Sequence, residues 1–247
     1  MNRLNPRFPR NLFGSLAITL ALAITFAVVT PAQAQVPLAR VSTDPFDPSK
    51  DPASQHHTEV EPDTFAFGST IVSAFQVARV FGGGAADIGF ATSKDGGKTW
   101  THGLLPGLTT QYKGGSYSAA SDASVVYDPK HGQWLILTLP IIGDDATLDV
   151  AVSRSSDGIH WENPIIVDNS GVDDKNWITC DLTPSSPHYG NCYAEWDQGY
   201  STGLLQMSTS TDGGKTWGPA MATADGAAGI GGQPLVQPKW HGCRAVR

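Results

Sequence analysis

From about residue 59 onward the chain is a succession of short apolar or alternating runs broken by turn-forming residues. Ala123 to Tyr127, Gln133 to Leu139, Thr147 to Ser153 and Ile165 to Val167 have the length and composition of strands. Asp128-Pro129-Lys130-His131-Gly132 separates the first two runs, and Gly143-Asp144-Asp145 the next two. Trp177 to Asp181 and Asn191 to Trp196 form another pair around a loop with Pro184, Pro187 and Gly190. Past the N-terminus the longest stretch free of Gly and Pro is Asp144 to Asp157, which excludes long helices. Composition agrees: 27 Gly, 17 Pro and only 16% charged residues argue against a helical bundle, while 40% hydrophobic residues suffice for a core.

The N-terminus follows a different pattern. Arg3, Arg7 and Arg10 precede an apolar stretch, Leu12 to Val29, and Ala32-Gln33-Ala34 has the small-x-small form of a cleavage site. Residues 1–34 therefore read as a signal peptide, with a permanent anchor as the competing reading, and the destination is extracellular or periplasmic. The net charge of −7 becomes −10 once those three arginines are removed. An acidic chain without a basic patch is a poor partner for nucleic acid or an anionic membrane surface. Residues 35–58, with Thr43-Asp44-Pro45-Phe46-Asp47-Pro48, read as a mobile Pro- and Asp-rich linker.

Residues 59–238 repeat themselves. Thr92-Ser93-Lys94-Asp95-Gly96-Gly97-Lys98-Thr99-Trp100 returns as Thr209-Ser210-Thr211-Asp212-Gly213-Gly214-Lys215-Thr216-Trp217, with a shorter copy, Ser155-Ser156-Asp157-Gly158-Ile159-His160-Trp161, between them. A repeat of this length with four short strands per unit predicts a propeller blade, with a parallel β-helix as the second choice. In each copy the Asp carboxylate can accept backbone N–H groups of its own turn, the glycines permit positive φ, and the Trp covers the hairpin. A calcium loop is the competing reading, but the EF-hand spacing of acids is missing.

Ser-x-Asp-x-Gly-x-Thr-Trp resembles the Asp-box, or BNR, motif of the sialidase (neuraminidase) superfamily. The residues that match are Ser93, Asp95, Gly97 and Trp100, then Ser155, Asp157, Gly158 and Trp161, then Ser210, Asp212, Gly214 and Trp217. The resemblance implies an all-β, six- or seven-bladed propeller of four-stranded antiparallel blades, with the Asp boxes between the third and fourth strands, away from the active face. It also implies glycan-directed hydrolysis of exo-α-sialidase type through an arginine cluster, an acid, and a Tyr–Glu nucleophile pair. The arginines do not follow. The Phe/Tyr-Arg-Ile-Pro motif is absent, and after Arg79 the chain has only Arg154, Arg244 and Arg247, so no catalytic role is carried over. A non-catalytic scaffold binding glycan or protein is the alternative, and no cofactor is implied.

Strand position singles out another set of residues. Glu61 and Asp63, Asp122, and Asp173 and Asp174 stand where each unit's first strand begins. They could converge on the central channel as a carboxylate pair or cation site, or simply be solvated strand-start residues. His56-His57 reads as a loop pair and not a zinc site, so no metal is expected. Tyr112, Tyr117, Trp134, Trp177 and Trp196 could stack on sugars, though packing is the stronger expectation for strand aromatics. Cys180 and Cys192, opposed on a hairpin, suit a disulfide; Cys243 is left over. At this repeat length the chain holds about three and a half blades, an incomplete propeller. Residues 239–247 are expected to lack a strand pattern, and open blade faces to be exposed.

Overall fold

The computed structural model describes residues 38–143, 147–171, 173–199 and 201–237, with the backbone of 243–246. The expected signal peptide lies outside the described residues. Among them every regular element is a strand. β1 (Ser54–Phe67), β2 (Thr70–Val80), β3 (Ala85–Ser93) and β4 (Thr101–Leu104) form one antiparallel blade. β5 (Ala119–Asp128), β6 (Gln133–Ile142), β7 (Thr147–Ser155) and β8 (Ile165–Gly171) form a second. β9 (Asp174–Cys180), β10 (Cys192–Asp197), β11 (Leu205–Ser210) and β12 (Met221–Ala222) form a third. The first strands β1, β5 and β9 lie beside one another in turn, and β13 (Gln233–Val236) follows β9. The expected four-stranded propeller blades are therefore present: three complete, with the innermost strand of a further one.

Successive side chains point to opposite faces of a blade, and in the first two blades both sets are apolar. Val72, Ile88 and Phe90 of the first blade meet Val125, Trp134, Ile136 and Trp161 of the second. Leu135, Leu137, Val150 and Val152 on the second blade's other face meet Ile178, Ala194 and Trp196 of the third. Trp134 and Trp196 are thus core residues, as packing demands of strand aromatics.

Three details differ from the sequence reading. The supposed linker does not stand apart from the blades: Val41 and Phe46 pack on Phe75, Val77, Ala91 and Leu104 and cover the first blade's outer face. His56 and His57 lie in β1, not in a loop. The His56 ring meets Asp44 Oδ2 at 3.0 Å and the Asp51 carbonyl at 2.8 Å, while His57 N donates to Asp44. Burying apolar area against Phe46 and satisfying these polar groups fixes a segment whose Pro and Asp content alone suggested mobility. Lastly, Cys243–Val246 forms a strand, β14, antiparallel to β13. Backbone pairing supplies what that stretch lacks in side-chain pattern.

The three Asp turns have one geometry. Asp95 Oδ1 accepts from Lys98 N and Thr99 N at 2.9 Å, Asp157 Oδ1 from Ile159 N and His160 N at 2.8 Å, and Asp212 Oδ1 from Lys215 N and Thr216 N at 3.0 Å. The preceding serine closes each loop, Ser93 Oγ accepting from Gly97 N, Ser155 Oγ from Gly158 N and Ser210 Oγ from Gly214 N. Two of the turns also reach the blade before them. Gly158 O accepts from Thr92 Oγ1 at 2.5 Å, and Gly213 O from Arg154 Nε at 2.8 Å. Both donors stand immediately before a turn serine. Gly158 (φ 73°) and Gly214 (φ 78°) must be glycine for space as well as conformation, since a Cβ would lie 2.9 Å from Val72 and 2.8 Å from Leu135.

Candidate functional site

The turns follow the third strand of each blade, so the opposite end of the blades is where first strands begin and second strands finish. There the three innermost strands carry the same irregularity. Val60 pairs with Gln76 but Asp63 with Ala74; Ser121 with Leu139 but Ser124 with Leu137; Asp174 with Asp197 but Trp177 with Glu195. Each is a bulge with one extra residue on the inner strand. The residue just after its first pair has positive φ in all three blades: Glu61 (53°), Asp122 (48°) and Lys175 (46°). Non-glycine residues rarely adopt this conformation, and here it is repeated three times around one axis.

The bulges open onto a cleft of about 690 Å³ lined by Glu61, Gln76, Arg79, Asp122, Asp174 and Lys175, with Gly82, Gly83 and Gly84 at its rim. Lys175 Nζ lies 3.2 Å from Asp122 Oδ2, and Gln76 Nε2 donates to Glu61 Oε2 at 2.6 Å. Burial pulls the Lys175 ammonium down, but Asp122, Asp174 and Glu61 around it hold its pKa above the ordinary value. A smaller pocket of about 260 Å³ shares Glu61, Asp122 and Lys175 and adds Asp63, Asn176, Trp177, Gly231 and Gly232.

Of the acids chosen from the sequence, Glu61, Asp122 and Asp174 share the cleft. Asp63 lines the smaller pocket, but its Oδ2 accepts from Val125 N at 2.8 Å and Ser124 Oγ at 3.1 Å, tying the first blade to the second. Asp173 is fully buried, bonded by Ser170 Oγ, and pushed to about 7 by burial and by Asp168 and Asp149. Tyr117 donates to Asp149 at 2.9 Å; burial and that carboxylate push its hydroxyl pKa up. Trp177 lines the smaller pocket, and Tyr112 packs against the first blade's outer cluster. Cys180 and Cys192 are paired across β9 and β10 and joined by a disulfide.

Sequence reasoning passed over Lys175, Asn176 and Gln76, and weighed Arg79 only as a member of an arginine cluster. Lys175 had one signal, its place in the third blade beside Asp173-Asp174; nothing local marks the others. It also missed Glu195 and Asp197 on β10, both fully buried. Asp197 Oδ2 accepts from Gly231 N at 2.9 Å, whereas both Glu195 carboxylate oxygens lack a partner among the described residues. Burial, then the neighbouring Asp197, pushes Glu195 to about 8.

No family model matches the sequence, and no curated protein does either. The fold has solved counterparts. A protein of unknown function from Dyadobacter fermentans matches 74% of this chain and 55% of its own at 19% identity, with a TM-score of 0.56. The NanB sialidase from Streptococcus pneumoniae matches 81% of this chain and 48% of its own at 13% identity and TM-score 0.52. An α-L-arabinanase from Penicillium chrysogenum matches 73% and 50% at 13% identity and TM-score 0.50. The last two are β-propeller glycosidases, and this chain has their fold. It spans about half the length of the solved structures it matches.

Proposed function

We propose that this protein is a glycan-directed glycoside hydrolase, exported by residues 1–34 and working in the extracellular or periplasmic space. The observation that carries this reading is the bulge repeated in the three innermost strands, which turns Glu61, Asp122 and Lys175 into one cleft at the cost of positive φ in each. Strained backbone held by surrounding structure clusters at functional sites. Hydrolysis of a glycosidic bond needs a proton donor at the leaving oxygen and a second carboxylate to activate water or hold positive charge. Asp122, ion-paired with Lys175, supplies the fixed negative charge, and Glu61, exposed in the cleft and held by Gln76, faces the sugar. The sialidase likeness in the Asp turns supports a carbohydrate substrate, but one arginine in the cleft does not support sialic acid as that substrate.

A non-catalytic, glycan-binding scaffold is the second reading, favoured by the ion pair that engages Asp122. A panel of fluorogenic glycosides separates the two. The hydrolase reading expects release from at least one glycoside and its loss in Asp122→Asn. Retention of glycans without turnover on any member selects the scaffold.

A further inference from the structure

We propose that the smaller pocket is a subsite for one uncharged sugar unit, with Asn176 reading its hydroxyls and Trp177 lying against its ring, and that it turns carboxylated sugars away. This deepens the glycan-directed reading and rests on it.

Size comes first. At about 260 Å³ the pocket falls just below the ~300–1,000 Å³ range of sites for drug-sized ligands, so it suits a single ring and not a chain. It shares Glu61, Asp122 and Lys175 with the larger cleft, so the remainder of a glycan can continue there.

Polar demand comes next. Asn176 lines the pocket, is 4% exposed, and neither its Oδ1 nor its Nδ2 has a hydrogen-bond partner among the described residues. Buried carboxamides are ordinarily satisfied. This one keeps an acceptor and two donor hydrogens side by side, a match for neighbouring sugar hydroxyls, each of which can donate and accept. Trp177, half-buried, also lines the pocket and offers an apolar surface for a ring face.

Charge decides the class of sugar. The pocket's carboxylates are Glu61, Asp63 and Asp122, with Asp174 nearby in the shared cleft. The one cation among its described lining residues, Lys175, already faces Asp122 at 3.2 Å. A carboxylated sugar needs charge-assisted donors and would meet like charge instead. An uncharged sugar gains hydroxyl donation to the carboxylates and meets no such repulsion.

The test uses the purified protein and a set of tagged oligosaccharides ending in galactose, glucose, mannose or arabinose. The same oligosaccharides capped with sialic or glucuronic acid form the second arm. Uncapped members should bind, and capping should weaken binding at least tenfold. Asn176→Leu should weaken binding of the uncapped members about tenfold. Its thermal unfolding should be unchanged or raised, since the amide it removes has no partner among the described residues. Equal or tighter binding of the capped members overturns the proposal. So does a folded Asn176→Leu variant that binds like the parent, for then the amide takes no part in binding. The capped-against-uncapped comparison needs no variant and decides the sugar class by itself. Failure of the whole set to bind overturns the glycan-directed reading and this subsite with it.

Discussion

Glu195 sits where a carboxylate is hardest to keep charged. It is fully buried without a hydrogen bond among the described residues, pressed against Gly232, and two residues from Asp197. Its pKa of about 8 lies far above the ~4.3 of an unfolded chain. Between those values the folded state holds a proton that the unfolded state has released, so stability falls as pH rises from about 4 to about 8. Asp173, at about 7, adds to the same decline. Asp95 and Asp157 act in the opposite sense. Thr99 N and its hydroxyl hold Asp95 well below the usual range, and hydrogen bonds from the His160 and Ile159 amides outweigh burial at Asp157. Their contribution is present above about pH 4 and is lost below it. Thermal unfolding followed against pH should therefore peak near pH 4–5. Glu195→Gln should raise Tm at pH 8 by more than at pH 5; equal shifts at both would contradict the assignment.

At the level of elements, strands and Asp turns are legible in the sequence because their determinants are local: alternation, turn residues, a serine and an aspartate a few positions apart. The hairpin that sets Cys180 opposite Cys192 is legible for the same reason. Reducing that bridge should cost about 3 kcal/mol for its short loop, read from denaturant unfolding with and without reductant. The bulges are not legible. A bulge exists only in the register between two strands, and nothing in Glu61-Pro62-Asp63 or Asp174-Lys175-Asn176 announces one. The sequence therefore groups Glu61 with Asp63, whereas the fold sends Glu61 to the cleft and Asp63 to the Val125 amide. Asp63→Ala should lower stability by about 2 kcal/mol through the amide and hydroxyl it leaves unpaired. A change under about 0.5 kcal/mol would show that the two blades do not depend on this contact.

For the whole molecule, the sequence suggests blade faces left open, and the first blade shows one covered. Val41 and Phe46 lie on it, and the His56–Asp44 pair anchors the segment. A Pro-rich stretch conceals this because its docking depends on a surface made by β2, β3 and β4, which no local pattern reveals. Phe46→Asp should strip that cover, lowering stability by about 1–2 kcal/mol and increasing binding of a hydrophobic dye. An unchanged dye signal would mean the face is closed by other means.

The backward reach of the Asp turns sets an order of construction. Gly158 fastens to Thr92 and Gly213 to Arg154, each later turn taking its partner from a residue synthesised about sixty positions earlier. A chain emerging from a narrow passage N-terminus first thus always presents a finished mooring before the piece that ties to it arrives. The described blades are bonded like courses of brick, each turn tied to the course before it. Exchanging Arg154 for Met should slow acquisition of structure by the third blade while leaving the first two to form at their own pace.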